Sequence, residues 1–405
     1  MPDTQPLLMA GRIGRLVSGL CCGLGLLTAV SSAQADVPRT PTRDQEVVEV
    51  LRDRPLTEAE RRWRTLREQL RQQPRQAATA VEAARLALSL AQRDGDPRWL
   101  GQAQAVLAPW WSQPAPPAPV RLLRAMLLQS THQFDAALRD LQALTQQPTG
   151  PQWQTGDRDQ AWLVQAAVLQ VTARYDEAAQ ACAALTQGER ATWGRACQLE
   201  LQSLRGDASQ AFDALNQLAS TLPSNNTVHG QVGVMRAELA ERLGRADQAE
   251  RLYRVLSLQS DDAYLLGAYA DFLLDQGRAA EVMTLLQGRE RNDALLLRLA
   301  EAGQALGDAR NRARVSALQA RFDAARLRGD RVHLREEARF TLRLLRQPAQ
   351  ALRLAQRNWQ VQKEPADARI LLEAAAASQQ PHEAALVKAA IRQWGWQDQR
   401  LEKWL

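Results

Sequence analysis

The sequence predicts an all-α protein, an α-solenoid of tandem antiparallel helix pairs. From Thr57 onward, apolar residues recur at helical spacing in almost every segment, and no run shows the alternation typical of a strand. The helical segments come in pairs, and the pairing pattern returns along the chain. The 405 residues are 45% hydrophobic and 24% charged, which excludes wholesale disorder, and the four cysteines are too few for a disulfide scaffold.

Residues 1–35 have the organisation of a secretory signal peptide. A basic start precedes an apolar run, and Ala33 and Ala35 form the small-x-small pattern that favours cleavage before Asp36. The run is shorter than the ~20 residues that span a bilayer, and no later stretch is apolar enough. We therefore expect export to the periplasm or beyond, with no transmembrane segment in the mature chain.

A lipoprotein modified at Cys21 or Cys22 is the alternative for this region. Leu20 precedes Cys21 where a small residue is expected, so the cleaved signal peptide is favoured. Residues 36–56 are polar and contain prolines, which predicts a flexible lead into the first helix.

Residues 57–118 predict degenerate helical hairpins and a proline-rich connector. Thr57 and Glu60 have the spacing of a capping box, which marks the start of a helix. Trp110 and Trp111 precede the connector SQPAPPAP, which its prolines should keep extended and stiff.

Residues 119–290 contain the clearest repeats. A bulky residue is followed four positions later by a small one, then by a turn, an alanine and an aromatic residue. Small residues let paired helices approach closely, and glycine suits the turn because it tolerates φ > 0. The signature positions are Trp162, Ala166, Tyr175, Ala178, Ala211, Gly244, Ala249, Tyr253 and Gly277.

These residues resemble the tetratricopeptide repeat (TPR) family, although the copies are degenerate and unevenly spaced. The resemblance implies a right-handed superhelix of about eight or nine hairpins between Thr57 and Trp394, shaped as an elongated curved rod. It also implies a concave face that binds peptides or partner proteins.

Residues 291–405 predict degenerate, arginine-rich repeats and a C-terminal cap. Between Asp308 and Arg357 there are 13 arginines and five acidic residues. A solvated surface, with some arginines paired to acids one helical turn away, is the simpler interpretation. The alternative is a site for an anionic glycan or lipid, while the expected compartment disfavours nucleic acid. The candidate anion-binding residues are Arg310, Arg314, Arg321, Arg328, Arg335, Arg339, Arg343 and Arg346.

Cys182 and Cys197 are the cysteines that remain after cleavage. They fall in consecutive helices that should pack together, so a disulfide is possible in an oxidising compartment. Two buried free thiols are an equally good interpretation.

Trp394, Trp396 and Trp404 form an aromatic cluster near the C-terminus. Covering the open face of the last repeat is the favoured role, because terminal repeats must be capped. The alternative is an aromatic anchor for a partner or a membrane interface.

No residue pattern in the sequence points to catalysis, a cofactor or a metal. The four histidines (His132, His229, His333 and His382) are far apart and lack nearby carboxylate clusters. A helical scaffold around a murein-cleaving domain is the enzyme alternative, but no non-helical segment is long enough to supply that domain. We therefore expect a non-catalytic periplasmic scaffold or adaptor that binds partner proteins through its concave face, in envelope assembly or export. Direct binding of an anionic glycan or lipid through residues 308–357 is the alternative.

Overall fold

The computed structural model describes Arg43, Gln45 and residues 55–146, 156–185, 190–223, 227–329 and 332–405. The predicted signal peptide, the cleavage site before Asp36, Cys21, Cys22 and most of the lead lie outside these residues. Within them the regular structure is helical, without strands, as the sequence predicts. None of the described helices is long and apolar enough to cross a membrane.

The described ranges contain 20 α-helices and two short 3-10 helices, and most of the helices form consecutive pairs. The α-helices are α1 (Glu58–Gln72), α2 (Ala77–Asp94), α3 (Arg98–Val106), α4 (Ala108–Trp111), α5 (Ala118–Ser130), α6 (Phe134–Gln146), α7 (Asp157–Val171), α8 (Tyr175–Ala184), α9 (Ala191–Ser203), α10 (Ala208–Thr221), α11 (Thr227–Arg242), α12 (Ala246–Gln259), α13 (Ala263–Asp275), α14 (Ala279–Leu285), α15 (Asp293–Leu306), α16 (Asn311–Leu327), α17 (Leu334–Arg343), α18 (Pro348–Val361), α19 (Pro365–Ala377) and α20 (Ala385–Trp394). The 3-10 helices are Pro381–Ala384 and Glu402–Trp404.

Side chains cap several helices at their N-termini. Thr57 donates its backbone N–H to Glu60 at 2.8 Å, and its hydroxyl accepts the Glu60 N–H at 3.2 Å, which completes the predicted capping box before α1. Asp262 and Asn292 accept backbone N–H groups three residues ahead at 3.0 and 3.1 Å, before α13 and α15. Each cap satisfies a donor that a helix start otherwise leaves without a partner.

The turns inside the helix pairs share one geometry. Ala173, Gly244 and Gly277 have φ values of 59, 71 and 72°. After each of them, the next N–H donates to the carbonyl oxygen five residues back at 2.8 Å. This bond closes the first helix of the pair and reverses the chain. The turn is therefore a structural repeat even where, as at Ala173, the sequence lacks glycine.

The odd-numbered helices from α5 to α19 form an inner row. Each contacts its even-numbered partner, and each also contacts the next odd-numbered helix along the chain. Helices that touch across an intervening helix lie closer together than the outer ones, so the stack curves with the odd-numbered helices inside. This is the arrangement expected of a TPR-like solenoid.

The curvature brings the C-terminal pairs back against the middle of the chain. One apolar core contains residues of α5–α8 together with residues of α17–α20. Lys363 donates its N–H to the Val171 carbonyl at 2.8 Å, and Gln399 donates to the Arg242 carbonyl at 2.8 Å. The helix pairs from α7 to α20 therefore close on themselves, and the array is more compact than the elongated curved rod that the resemblance implies.

The proline-rich connector is held in place by buried arginines of α5. Arg124 donates to the carbonyl oxygens of Trp111 and Gln113 at 2.6 and 2.9 Å, and Arg121 donates to that of Pro114 at 2.9 Å. Arg124 also binds Asp140 of α6 through two bonds of 2.6 and 2.7 Å. The connector is thus fixed by hydrogen bonds as well as by its prolines.

Candidate functional site

A cavity of about 370 Å³ lies on the inner side of the closed array, and we call it the inner cavity. Its walls come from α9, α11, α13, α15, α17 and α19, and Arg400 contributes from the C-terminal end. Seven acidic and eight basic side chains line it. Such a density of charge on the concave side makes this the strongest candidate for a binding site.

Arginines of α15 and α17 bind carboxylates of neighbouring helices along one wall. Arg339 donates to Glu301 at 2.6 and 2.8 Å and lies 2.6 Å from Asp271, which Arg298 also binds at 2.6 Å. Arg343 continues the network to Glu301 at 3.2 Å. Burial raises the pKa of both carboxyls, but the guanidinium groups outweigh it and hold the pKa of Asp271 and of Glu301 below the usual range.

A second set of ion pairs links α19 to α13 and α17. Arg369 binds Asp275 at 2.6 Å and Glu373 at 2.9 Å, although Asp275 lies 94 residues earlier in the chain. Arg335 binds Glu364 at 2.9 Å, at the start of α19. The bond between Arg369 and Asp275 therefore joins the last helix pairs to the middle of the superhelix.

A second part of the lining, which we call the acidic wall, contains Glu200 of α9 and Glu238 and Glu241 of α11. Glu238 accepts the Tyr264 hydroxyl at 2.6 Å, and Glu241 accepts from Arg400 at 2.8 Å and from the Tyr253 hydroxyl at 3.0 Å. Burial, followed by the charges of Glu200 and Glu241, raises the pKa of Glu238 to about 7. Burial also raises the pKa of Glu200 and of Glu241.

A second cavity, also of about 370 Å³, adjoins the first, and we call it the amide cavity. The two share Gln170, Glu200, Met235 and Glu364 as lining residues. Apolar side chains and amides line the rest of it, among them Leu163, Phe134, Trp193, Gln129, Gln231 and Gln362. The concave surface therefore offers a charged half and a neighbouring apolar and amide-rich half.

The eight candidate arginines divide into three groups. Those that line the inner cavity are Arg335, Arg339 and Arg343. Those that pair with acids of nearby segments are Arg314 with Asp308 and Arg321 with Asp293. Those whose residues are exposed are Arg310, which also lies 3.5 Å from Asp308, Arg328 and Arg346. The candidates therefore do not form one surface, and the partners of the inner three are mostly 29–42 residues away rather than one helical turn.

Cys182 and Cys197 form a disulfide that joins α8 to α9, with a Cα–Cα distance of 5.7 Å. The two helices approach closely because Gly194 faces the end of α8. A Cβ at Gly194 would lie 2.7 Å from the Leu185 Cβ and 2.9 Å from the Cys182 carbonyl oxygen. The bond and the glycine together fix the step between two consecutive helix pairs.

Residues 394–400, which we call the C-terminal strap, lie across the turns of three consecutive pairs. Trp396 is buried and donates its ring N–H to the Tyr175 hydroxyl at 3.2 Å. Gln397 accepts the Ala208 N–H at 3.0 Å, and Arg400 reaches Glu241. Gly395 lies so close that a Cβ there would be 3.3 Å from the Gly206 Cα. Trp394 and Trp396 pack on Trp359 of α18 as well as on Tyr175 of α8, so they join the last helix pairs to the middle of the array.

The repeat-signature residues have structural roles. Most are buried between paired helices, with the side chains of Ala178, Ala211, Ala249 and Tyr253 inaccessible to solvent. Gly244 and Gly277 occupy the left-handed turn positions. Tyr253 combines both roles, because it packs against Tyr269 and its hydroxyl binds Glu241 at the edge of the inner cavity.

The histidines are dispersed over the fold. His132 stacks on Phe134 beside the amide cavity, His382 is exposed next to Glu383, and His333 precedes α17. In the described part of the chain, no group of three or more His, Cys, Asp or Glu residues is placed to hold a metal ion.

The acidic wall and Tyr264 are not predicted by the sequence analysis, because they belong to no catalytic motif and to no arginine-rich segment. A usable signal was present: the first helix of several successive pairs carries carboxylates on its polar face, at Glu200, Glu238, Asp271 and Glu301. In a solenoid, polar residues on the first helices face the concave side together. That pattern could have pointed to the inner cavity.

No model of a known protein family matches the chain, and no curated protein sequence matches it. Among solved structures, the TPR domain of P58(IPK) matches with 16% identity and a TM-score of 0.22, over 85% of this chain and 90% of that chain. The structure of Naa15/Naa10 bound to HypK-THB matches with 12% identity and a TM-score of 0.23, over 86% of this chain and 65% of that chain. The chain is a TPR-like helical repeat protein, and this assignment of fold rests on its own repeated turns and inner row of helices.

Proposed function

We propose that this chain is an exported, non-catalytic scaffold that binds a segment of a partner protein on the inner surface of its closed array. The observation that carries the proposal is the pair of adjoining cavities on the concave side, one charged and one lined by apolar groups and amides. Polar groups that converge on a preformed concave surface are the usual features of a binding site. Helical solenoids use the same surface for extended partners.

Export is supported by the N-terminal sequence and agrees with the disulfide. The small-x-small pattern before Asp36 favours signal peptide cleavage. A disulfide between Cys182 and Cys197 is typical of proteins that fold in an oxidising compartment such as the periplasm. N-terminal sequencing of the protein recovered from the periplasmic fraction should begin at Asp36.

The arrangement of the inner carboxylates supports a non-catalytic role. Asp271 and Glu301 are each held by two arginines, and Glu238 accepts a tyrosine hydroxyl. These contacts stabilise ionised carboxylates or fix their positions, and none of them aligns a nucleophile with a base. Partner binding is therefore the role that we propose, and envelope assembly or export is the process in which we expect it.

Site-specific photocrosslinking tests the proposal in the native compartment. A photoreactive residue is placed at Ala366, which lines the inner cavity, and in a separate variant at Leu258, which is 84% exposed on the outer helix α12. We expect an adduct with a defined protein at Ala366 and not at Leu258, and binding of that protein in purified form. Adducts at Leu258 alone, or no protein adduct at Ala366, would contradict a concave binding site.

A further inference from the structure

Glu200 and Glu238 differ from the other carboxylates of the inner cavity. Asp271, Asp275 and Glu241 all form ion pairs with arginines. Neither Glu200 nor Glu238 forms an ion pair with an arginine or lysine in the described part of the chain. The acidic wall thus contains two carboxylates that form no ion pair among the described residues.

These two carboxylates are in an unfavourable environment as they stand. Burial raises the pKa of each, and the Glu200 charge adds to the increase at Glu238. A cation placed between them would compensate for the lost hydration and relieve their mutual repulsion. The unmatched pair therefore has the electrostatics of a site for a positively charged group.

Tyr264 adds a second feature that suits a cation. Its hydroxyl is anchored by Glu238 at 2.6 Å, yet the residue is 62% exposed and lines the inner cavity. An aromatic ring held in a fixed position beside carboxylates can bind a guanidinium or ammonium group over its face. The anchoring bond means that the ring is already positioned before a ligand arrives.

The amide cavity continues from the same carboxylate. Glu200 and Met235 line both cavities, and beyond them lie Trp193 and Leu163 with the amides of Gln129 and Gln231. Side-chain amides can both donate to and accept from a peptide backbone, and the apolar groups can cover one side chain. A ligand that occupies both cavities therefore lies beside Glu200 and the other residues that the two cavities share.

We propose that the partner segment is an extended peptide with a lysine or arginine that binds Glu200 and Glu238 against Tyr264, and with an apolar residue nearby that enters the amide cavity. The proposal rests on the proposed scaffold function and names the chemistry of its ligand. Charge complementarity favours this occupant, because the arginines of α15, α17 and α19 that line the cavity have acidic partners, whereas Glu200 and Glu238 form no ion pair in the described part of the chain.

Peptide selection on the purified mature protein tests the ligand class. Phage-displayed random heptapeptides are selected on the wild type, on the Glu200→Gln/Glu238→Gln double variant and on Glu290→Gln. Glu290 is a matched control, because its residue is exposed and lines neither cavity. We expect the wild type and the control to enrich peptides with a basic and an apolar residue. A synthetic peptide of that sequence should bind the double variant at least about tenfold more weakly, the loss typical of a charge-assisted contact.

The pH dependence of peptide binding provides a second readout. Binding should weaken at least about threefold between pH 8 and pH 6, because protonation of Glu238, with its pKa of about 7, removes one of the two charges. The double variant should lose this dependence. The other groups that act on the two glutamates, and that stay in the variant, are Glu241, Tyr264, Arg242, Arg400 and Glu364.

The results separate this proposal from the scaffold function. Selection of acidic or uncharged peptides, selection of nothing above the matrix, or equal selection by all three proteins would overturn the basic ligand. A crosslinked partner at Ala366 that persists in the double variant would support the scaffold and also overturn the basic ligand. Glutamine keeps the shape of the side chain and removes an unmatched charge, so the double variant should have a melting temperature no lower than that of the wild type at pH 7. An unchanged melting temperature would show that a loss of binding does not come from a loss of fold.

Discussion

Replacement of Arg339 by methionine tests how strongly the ion pairs of the inner wall hold the superhelix together. Arg339 joins α17 to Asp271 of α13 and to Glu301 of α15, with contacts of 2.6 Å to each. The side chains of Arg339 and Glu301 are only 14% and 7% exposed. Methionine has a similar volume and no charge, so it removes both ion pairs without leaving a large cavity.

The loss of stability should be about 3 kcal/mol, at the lower end of the range for breaking one side of a buried ion pair. The lower end applies because Arg298 remains 2.6 Å from Asp271, and Arg343 remains 3.2 Å from Glu301. The surface variant Arg310→Met is the control, since that side chain is 81% exposed, and it should change the stability by less than about 0.5 kcal/mol.

The loss should also depend on pH. Arginines hold the pKa of Asp271 and of Glu301 below the unfolded values, so the stabilisation is full above those values and falls as the pH drops through the folded ones. In the variant, Asp271 and Glu301 protonate more easily at low pH, and protonation removes part of the cost of burying an unpaired carboxylate. The difference from the wild type should therefore be largest near pH 7 and smaller near pH 4.

Urea unfolding followed by circular dichroism at both pH values measures these differences. A change below about 1 kcal/mol at pH 7, or one equal to that of Arg310→Met, would refute the view that the inner ion pairs hold the array closed.

Three further changes test separate parts of the structure. Trp396→Ala should lower the free energy of unfolding by about 3–5 kcal/mol, because this buried side chain fixes the C-terminal strap. The variant should also exchange the amide hydrogens of α8 faster, and unchanged exchange would contradict the contact between the strap and α8. Reduction of the Cys182–Cys197 disulfide, which joins residues 15 positions apart, should lower the free energy of unfolding by roughly 3 kcal/mol, measured by thermal or urea unfolding. Thiol titration of the denatured protein should find no free cysteine before reduction. Ala173→Gly should stabilise the protein by about 0.5–1 kcal/mol, because Ala173 has φ of 59°, and a loss of stability would contradict the left-handed turn assigned to it.

The features that depend on local sequence could be predicted. The capping box at Thr57, the paired helices and the turn glycines at Gly244 and Gly277 arise from residues a few positions apart. Such short-range patterns are visible without knowledge of the tertiary structure. The helical class and the TPR-like architecture follow from them.

The features that depend on the path of the superhelix could not be predicted from the sequence. Arg339 was predicted to lie on a solvated surface, but its partners Glu301 and Asp271 come from other helix pairs. Trp396 packs on Trp359 near the end of the array, in line with the expected cap, but its hydrogen bond to Tyr175, 221 residues earlier, was not predicted. Degenerate repeats of uneven length do not reveal how much each pair rotates, so the point at which the array closes is not readable from the sequence.

Small-angle X-ray scattering of the mature protein tests the closed array most directly, because both cavities depend on the return of the C-terminal pairs. A compact chain of this length has a radius of gyration of about 21 Å, and a closed array with its N-terminal lead should give about 21–25 Å. An open rod of about ten helix pairs, stacked at about 10 Å per pair, would give about 30 Å. A value of 21–25 Å is the predicted result, and one of about 30 Å or more would contradict the closed array.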